Sequence, residues 1–224
     1  MKKHLLFLLL SACAATPELS AQSKGHLSGS LESNSIYYVK DNKLGSENSV
    51  YPEDHFGSNN YLKLDYTQGK FSAGVQLEGY LPALQGYDIG VYGDKKAILG
   101  IKYVNWQDEN FSFRAGDIFE QFGSGMVFRS FEDRTLGINN SIEGVYGSYN
   151  YKNYITVKGL YGRPRLYTDY ADSWVRGGDL SLSIDNLAGW TETFFSIEGS
   201  LVNRNEEVPD EMAGVARPNA NMYS

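Results

Sequence analysis

The stretch DIFEQFGSGMVFRSFEDRTLGINNS, residues 117 to 141, gathers the densest chemistry in the chain. Glu120, Arg129, Glu132, Asp133 and Arg134 fall within it, and Gly123 and Gly125 sit between bulky apolar residues. Fixed acids and guanidiniums on a glycine-kinked segment suit a constriction, where charged side chains select what passes. The plainer alternative is a structured loop whose opposite charges pair with one another. A second set of charges stands at isolated positions: Lys63, Asp65, Glu78, Lys102 and Arg114, with Glu192 and Glu198 further on. All but Glu192 fall between apolar or small residues, and the whole set is expected to line a wet interior.

Patterns that would signal catalysis are thin. Outside the extreme N-terminus the histidines are His26 and His55, and no local pattern sets a serine beside either. GSG at 123–125 lacks the Lys-Ser/Thr that completes a phosphate loop. No Cys/His spacing suggests zinc. EEVPDE at 206–211 lacks the alternating ligands of a calcium loop. No catalytic residue, cofactor or metal is expected, and the chain reads as a non-enzyme.

The elements that must carry these charges are strands. KFSAGVQLEGYL, 70 to 81, alternates Phe71, Ala73, Val75, Leu77, Gly79 and Leu81 with Ser72, Gly74, Gln76, Glu78 and Tyr80. A period of two gives a strand one apolar and one polar face. Nine such strands are expected, near 26–39, 59–66, 70–81, 97–106, 111–117, 141–149, 154–162, 175–184 and 191–202. In the fourth, Leu99, Ile101 and Tyr103 are expected on the face opposite Lys102.

The connections alternate in length. TQGK (67–70), QDEN (107–110), NYKN (150–153) and DNLAGW (185–190) are short. Between them lie the long segments 40–58, 82–96, 118–140, 163–174 and 203 to the end. Every long connection thus falls at the same end of the sheet. A transmembrane barrel has that asymmetry, with short turns on one side and long loops on the other. A soluble sandwich has no reason for it. Tyr37, Tyr38, Tyr66, Tyr80, Tyr103, Trp106, Tyr149, Tyr151 and Trp190 lie near strand ends, where interfacial aromatic girdles form.

Composition agrees with an exported, ordered protein. Hydrophobic residues make up 42% and charged residues 21%, too apolar for a disordered chain. The net charge of −7 and the lack of a basic stripe exclude nucleic acid as a partner. Residues 1–21 read as a signal peptide, with Lys2 and Lys3 before LLFLLLSACAA and cleavage after Ala21. The rival is a lipoprotein box at Leu10–Cys13. Cys13 is the only cysteine, so a chain cleaved after Ala21 would carry no disulfide. Residues 22–224 then form the N-terminal part of an outer-membrane barrel domain. Nine is an odd number for a single-chain bacterial barrel, and the tail NRNEEVPDEMAGVARPNANMYS reads as a polar loop, so a longer protein is expected.

GSLESNSIYYVKD, FGSNNYLKLDY, GVQLEGYLPALQGYD and FEQFGSGMVFRSFEDRTLGINNSIEGV together resemble an uncharacterised family of outer-membrane β-barrel proteins of Bacteroidota. The likeness spans most of 25 to 180 and is most specific at 119–145. It implies an outer-membrane location and a chain shorter than other members, and it supplies no catalytic residues.

The leading expectation is therefore an all-β, antiparallel, up-and-down transmembrane barrel, incomplete in this chain. The outer-membrane bilayer would be its partner. It would pass or bind a small solute, in the manner of a porin, or serve surface assembly or secretion. Two alternatives stand beside it. One is a soluble exported all-β module that binds glycans through loop Tyr and Trp. The other is a barrel enzyme using His26 or His55.

Overall fold

A computed structural model describes residues 24–39, 43, 55–80, 84, 97–206 and 220–223. Residues 1–21 and most of the acidic stretch 206–211 lie outside them. The strands run in chain order: β1 (His26–Tyr37), β2 (Phe56–Gln68), β3 (Phe71–Tyr80), β4 (Ala97–Gln107) and β5 (Phe111–Ile118). Four two-residue strands follow: β6 (Gln121–Phe122), β7 (Phe128–Arg129), β8 (Glu132–Asp133) and β9 (Ile138–Asn139). Then come β10 (Ile142–Tyr151), β11 (Ile155–Leu166), β12 (Asp169–Tyr170) and β13 (Ser173–Ser183). The chain continues with α1 (Ile184–Ala188), β14 (Ser196–Glu206) and β15 (Ala220–Tyr223).

All the long strands join one antiparallel sheet in the order β1-β2-β3-β4-β5-β10-β11-β13-β14-β15, with β12 beside β11. The expected strands are all present, with ends moved by a few residues. Three features depart from expectation. The 185–190 connection is a short helix within a link running from 184 to 195, so the ninth strand starts at Ser196 and not near 191. The left-handed Gly189, φ 70°, closes that helix. The tail is not loop throughout, because Ala220–Tyr223 pairs with Leu201–Arg204 as a tenth sheet strand. The third long segment holds two small hairpins, β6-β7 and β8-β9. Among the described residues no helix is long and apolar enough to cross a membrane, which does not bear on strands.

The two faces of the sheet differ in the sense the alternation predicts. Leu62, Leu64, Val75, Leu77, Leu99, Val104, Phe113, Val145, Val157, Leu180, Ile197 and Leu201 share one face and are all exposed. The other face holds Asn59, Gln76, Glu78, Asp179 and Ser200, all buried. This inverts a soluble protein, in which large contiguous apolar surface is covered. Among the described residues the two hairpins lie over the polar face, and no second sheet covers the apolar one.

A stagger runs through the register. Phe71 faces Trp106, and the row continues through Phe113, Gly147 and Gly159 to Gly178. Phe71 begins β3 at a short turn, whereas Gly178 lies five residues from Ser183, the short-turn end of β13. Five residues over five strand spacings corresponds to strands leaning by about 35° from the normal to the line of turns.

On β2, β3, β10 and β11 the limit of the apolar face follows the turns and not the hydrogen-bonded rows. Leu62, Leu77, Val145 and Tyr161 each lie six residues from their strand's short-turn end, at Gln68, Phe71, Tyr151 and Ile155. The next outward positions are Asn60, Gly79, Glu143 and Arg163. Along the ladder, by contrast, Val145 connects through Ala115, Val104 and Ala73 to Tyr66, four residues below Leu62. At the short-turn edge Tyr66, Phe71, Trp106, Phe111 and Tyr149 form an outward aromatic collar, with the Trp106 and Phe111 rings 5.6 Å apart. Towards the other edge Tyr161 stacks on Trp174 at 5.0 Å. Tyr80 and Tyr103, expected in a girdle, turn to the polar face instead. Tyr80 is buried there against Tyr61, and Tyr103 donates to Asp65.

Candidate constriction on the polar face

The segment between β5 and β10 folds back over the polar face and anchors at two places. Its first hairpin drives Phe122, 1% exposed, against Leu160, Val175 and Val202, with Ile118, Val127 and Ile142 completing a small apolar core. Gly177 makes the seat, because a Cβ there would come within 2.8 Å of the Phe122 ring. The turn of this hairpin uses Gly123 and Gly125 at φ 50° and 84°, a left-handed backbone that glycine adopts at little cost. Glu120 pairs with Lys158 on β11 at 3.2 Å.

The second hairpin reaches the opposite side of the sheet. Arg134 pairs with Glu32 on β1 and lies 4.3 Å over the Tyr61 ring on β2. It also donates to Gln76 on β3 at 2.8 Å. Glu132 accepts from Gln76 at 3.0 Å and pairs with Arg134 at 3.4 Å. Asp133 shapes the turn by accepting the N–H groups of Thr135 and Leu136 at 2.9 and 3.1 Å. One segment therefore bridges strands from β1 to β14.

Beside it lies a buried ion pair. Glu78 on β3 and Arg165 on β11 meet at 2.7 Å with side chains 2% and 4% exposed. Tyr80 donates to Glu78 at 2.8 Å, and Gln76 does so at 3.1 Å. Four strand spacings separate β3 from β11, about 19 Å along a flat sheet, so the sheet must curl for these side chains to touch. Gly100 leaves room for the pair, since a Cβ there would fall 1.9 Å from the Glu78 carboxylate.

Arg165 has a second task. β5 pairs only with Tyr103–Gln107 of β4, so among the described residues no strand continues that ladder along Ala97–Lys102. Side chains substitute for it. Arg165 donates to the Gly100 carbonyl at 2.7 Å, and Asp117 accepts the Lys102 N–H at 2.9 Å. Asp117, fully buried, also accepts from Ser141 at 3.0 Å and from the Tyr170 hydroxyl at 3.2 Å.

The sequence-selected residues divide cleanly. Glu120, Glu132, Asp133 and Arg134 lie on the segment that crosses the polar face, and Glu78 sits beneath it. Lys63 and Asp65 share that face and pair at 3.3 Å. Arg114 is there too, stacked 4.1 Å from the Tyr103 ring and donating to the Asp117 carbonyl. Arg129 is exposed on the first hairpin, over Phe131 at 4.9 Å. Lys102 is the correction. The register shifts between Gln76 and Leu77, so Ile101 and Tyr103 face inward while Lys102 shares the outward face with Val75 and Val104. There its ammonium pairs with Glu143 at 2.7 Å. Glu32, Tyr61, Gln76 and Arg165 join the site without having been selected. Strand alternation places Glu32 and Gln76 on the polar face, but no short-range signal brings Arg165 to Glu78.

A family model for a family of unknown function, DUF6029, matches residues 1–224, the whole chain. The chain belongs to that family. No curated protein and no solved structure matches it.

Proposed function

We propose that this DUF6029 chain forms the wall of an outer-membrane β-barrel, with a polar interior that passes or binds a small solute and residues 119–141 as its internal constriction. The observation that carries the reading is the level edge of the apolar face. A bilayer is a slab, and a slab cuts leaning strands at constant height, not along their hydrogen-bonded rows. From the turn ends to Asn60, Gly79, Glu143 and Arg163 is eight residues. At about 3.3 Å per residue and the lean above, that is about 22 Å, near the ~25 Å apolar band of such barrels. The lean itself approaches the ~35–45° strand tilt that barrel closure requires. A sandwich core would show no preference for the line of turns.

Lys102 is the exception within the band, five residues above Gln107. Its long side chain reaches up to Glu143 and Tyr170, as a cation does when it leaves hydrocarbon for the interface.

Export by residues 1–21 and a Bacteroidota outer membrane fit this reading. Fractionation of cells making the intact protein tests it. The protein should pellet with membranes, resist carbonate extraction and migrate faster on a gel when left unheated. In planar bilayers it should conduct. Recovery in the aqueous fraction without detergent overturns the proposal.

A further inference from the structure

Between the root of the second hairpin and strands β2 to β5 lies a cleft of about 430 Å³. We propose that it binds a small organic monoanion, one carboxylate on an apolar body, with the Arg114 guanidinium as its anchor. This names the solute class for the interior described above, and rests on that reading for the solute's route. Three features point there.

The first is a guanidinium held on two sides and free on the third. Arg114 donates from Nε to the Asp117 carbonyl at 2.6 Å, and its face lies 4.1 Å from the centre of the Tyr103 ring. Those contacts fix the plane of the group. Its two amino nitrogens have no hydrogen-bond or ion-pair partner among the described residues, and neither is buried. What Arg114 offers the cleft is therefore its open edge, a fork of N–H groups that a carboxylate fills with both oxygens. The second is charge. Lys63, Arg114 and Arg134 line the cleft, against the single acid Glu132. Both oxygens of Glu132 are engaged, one by Gln76 at 3.0 Å and one by Arg134 at 3.4 Å. Asp65 and Glu32 take up Lys63 and Arg134 from outside the lining. The Asp117 carboxylate is turned to Ser141 at 3.0 Å and to the Lys102 ammonium at 3.8 Å. Arg114 alone has no acid of its own, so an anion finds an unmet partner here, and a cation finds no free acid. The third is the wall. Ile101, Tyr103, Phe119 and Phe131 line the same cleft. They give an apolar body a surface to cover, which an inorganic anion or a water cluster leaves unused. Apolar walls with one placed charge are the usual make-up of a small-molecule site, and the volume lies within the usual range.

The test uses the intact protein, with benzoate and hexanoate titrated singly by calorimetry, benzamide as the neutral control and benzylamine as the cationic one. At least one carboxylate should bind saturably, with benzamide and benzylamine about tenfold weaker or worse. Arg114→Gln, without the charge, should weaken carboxylate binding about tenfold or more. Arg114→Lys, which keeps the charge and loses the fork, should weaken it severalfold. Phe131→Ala, which thins the wall, should also weaken it severalfold. Heat-shifted gel migration checks that each variant folds. The proposal is overturned if neither carboxylate binds up to about 100 mM, if benzamide or benzylamine binds as well as the carboxylates, or if either folded Arg114 variant binds as the parent does. Membrane pelleting of the same preparations separates the two claims. An inserted protein that binds no carboxylate loses the site alone. An aqueous protein whose carboxylate binding falls in the Arg114 variants loses the barrel and keeps the site.

Discussion

At the scale of single residues the most consequential contact is Glu78 with Arg165. Neither side chain is more than 4% exposed, so each charge depends on the other. Arg165→Met leaves a buried carboxylate alone, and breaking such a pair costs about 3–5 kcal/mol. The double variant Glu78→Leu/Arg165→Met removes both charges and should recover much of that loss. Urea unfolding of the parent, both single variants and the double variant in detergent measures it; a double loss equal to the sum of the two single losses would mean the pair is not coupled. A gentler case is Asp108, between β4 and β5. A hydrogen bond from Lys70 at 2.6 Å, then one from the Glu109 N–H, hold its carboxyl below the usual value. Its contribution is present above the unfolded carboxylate's pKa and is lost as pH falls through the lower folded value, so Asp108→Asn should matter only on the neutral side of that window. Residue roles were the least legible part of the sequence. Alternation assigned Lys63, Asp65, Glu78 and Arg114 to the correct face. It failed at Lys102 because the irregularity near Gly100 moves the parity by one, and a period of two turns that single step into the opposite face.

At the scale of elements, the segment 119–141 holds itself down by different chemistry at its two ends. The first hairpin depends on packing, so Phe122→Ala should cost about 3–5 kcal/mol, as large-to-small changes of buried aromatics do. The second depends on polar contacts around Arg134, and Arg134→Ala should release it while leaving Phe122 seated. Replacing residues 123–137 by a short glycine linker should raise single-channel conductance severalfold if the segment narrows a passage. Unchanged conductance would place the restriction elsewhere. The sequence marked this segment through its charges and glycines and the strands through their alternation. It did not mark the strand at 220–223, whose place is set by pairing with Leu201–Arg204 and not by any pattern of its own. Arg165 was equally hidden, because its partners Glu78 and Gly100 lie 87 and 65 residues away.

For the whole molecule the governing fact is which face is apolar. The chain has three tryptophans, and Trp106, Trp174 and Trp190 are all exposed, the first two on the outward face. In vesicles of brominated lipids their fluorescence should be strongly quenched, and Trp106→Phe/Trp174→Phe should leave a signal that is quenched much less. Leu64→Lys, midway up the apolar face, should destabilise the inserted protein by about 2–4 kcal/mol, whereas Ser148→Lys on the polar face should be nearly neutral. Equal effects from the two would remove the distinction between faces. This scale was the most legible in advance, since alternation and the lengths of connections are properties of the chain that need no long-range contact.

The upper edge of β4 has a consequence for how the molecule assembles. Elsewhere adjacent strands are zipped by their own backbones, but at Gly100 and Lys102 the join is a clasp of side chains from Arg165 and Asp117, complete only once the chain reaches Arg165, 65 residues beyond Gly100. Amide protons near 98–102 should therefore gain protection late during refolding, after those of β2 and β3. Loosening the clasp would open a seam between the two faces of the sheet without breaking a single rung of the ladder.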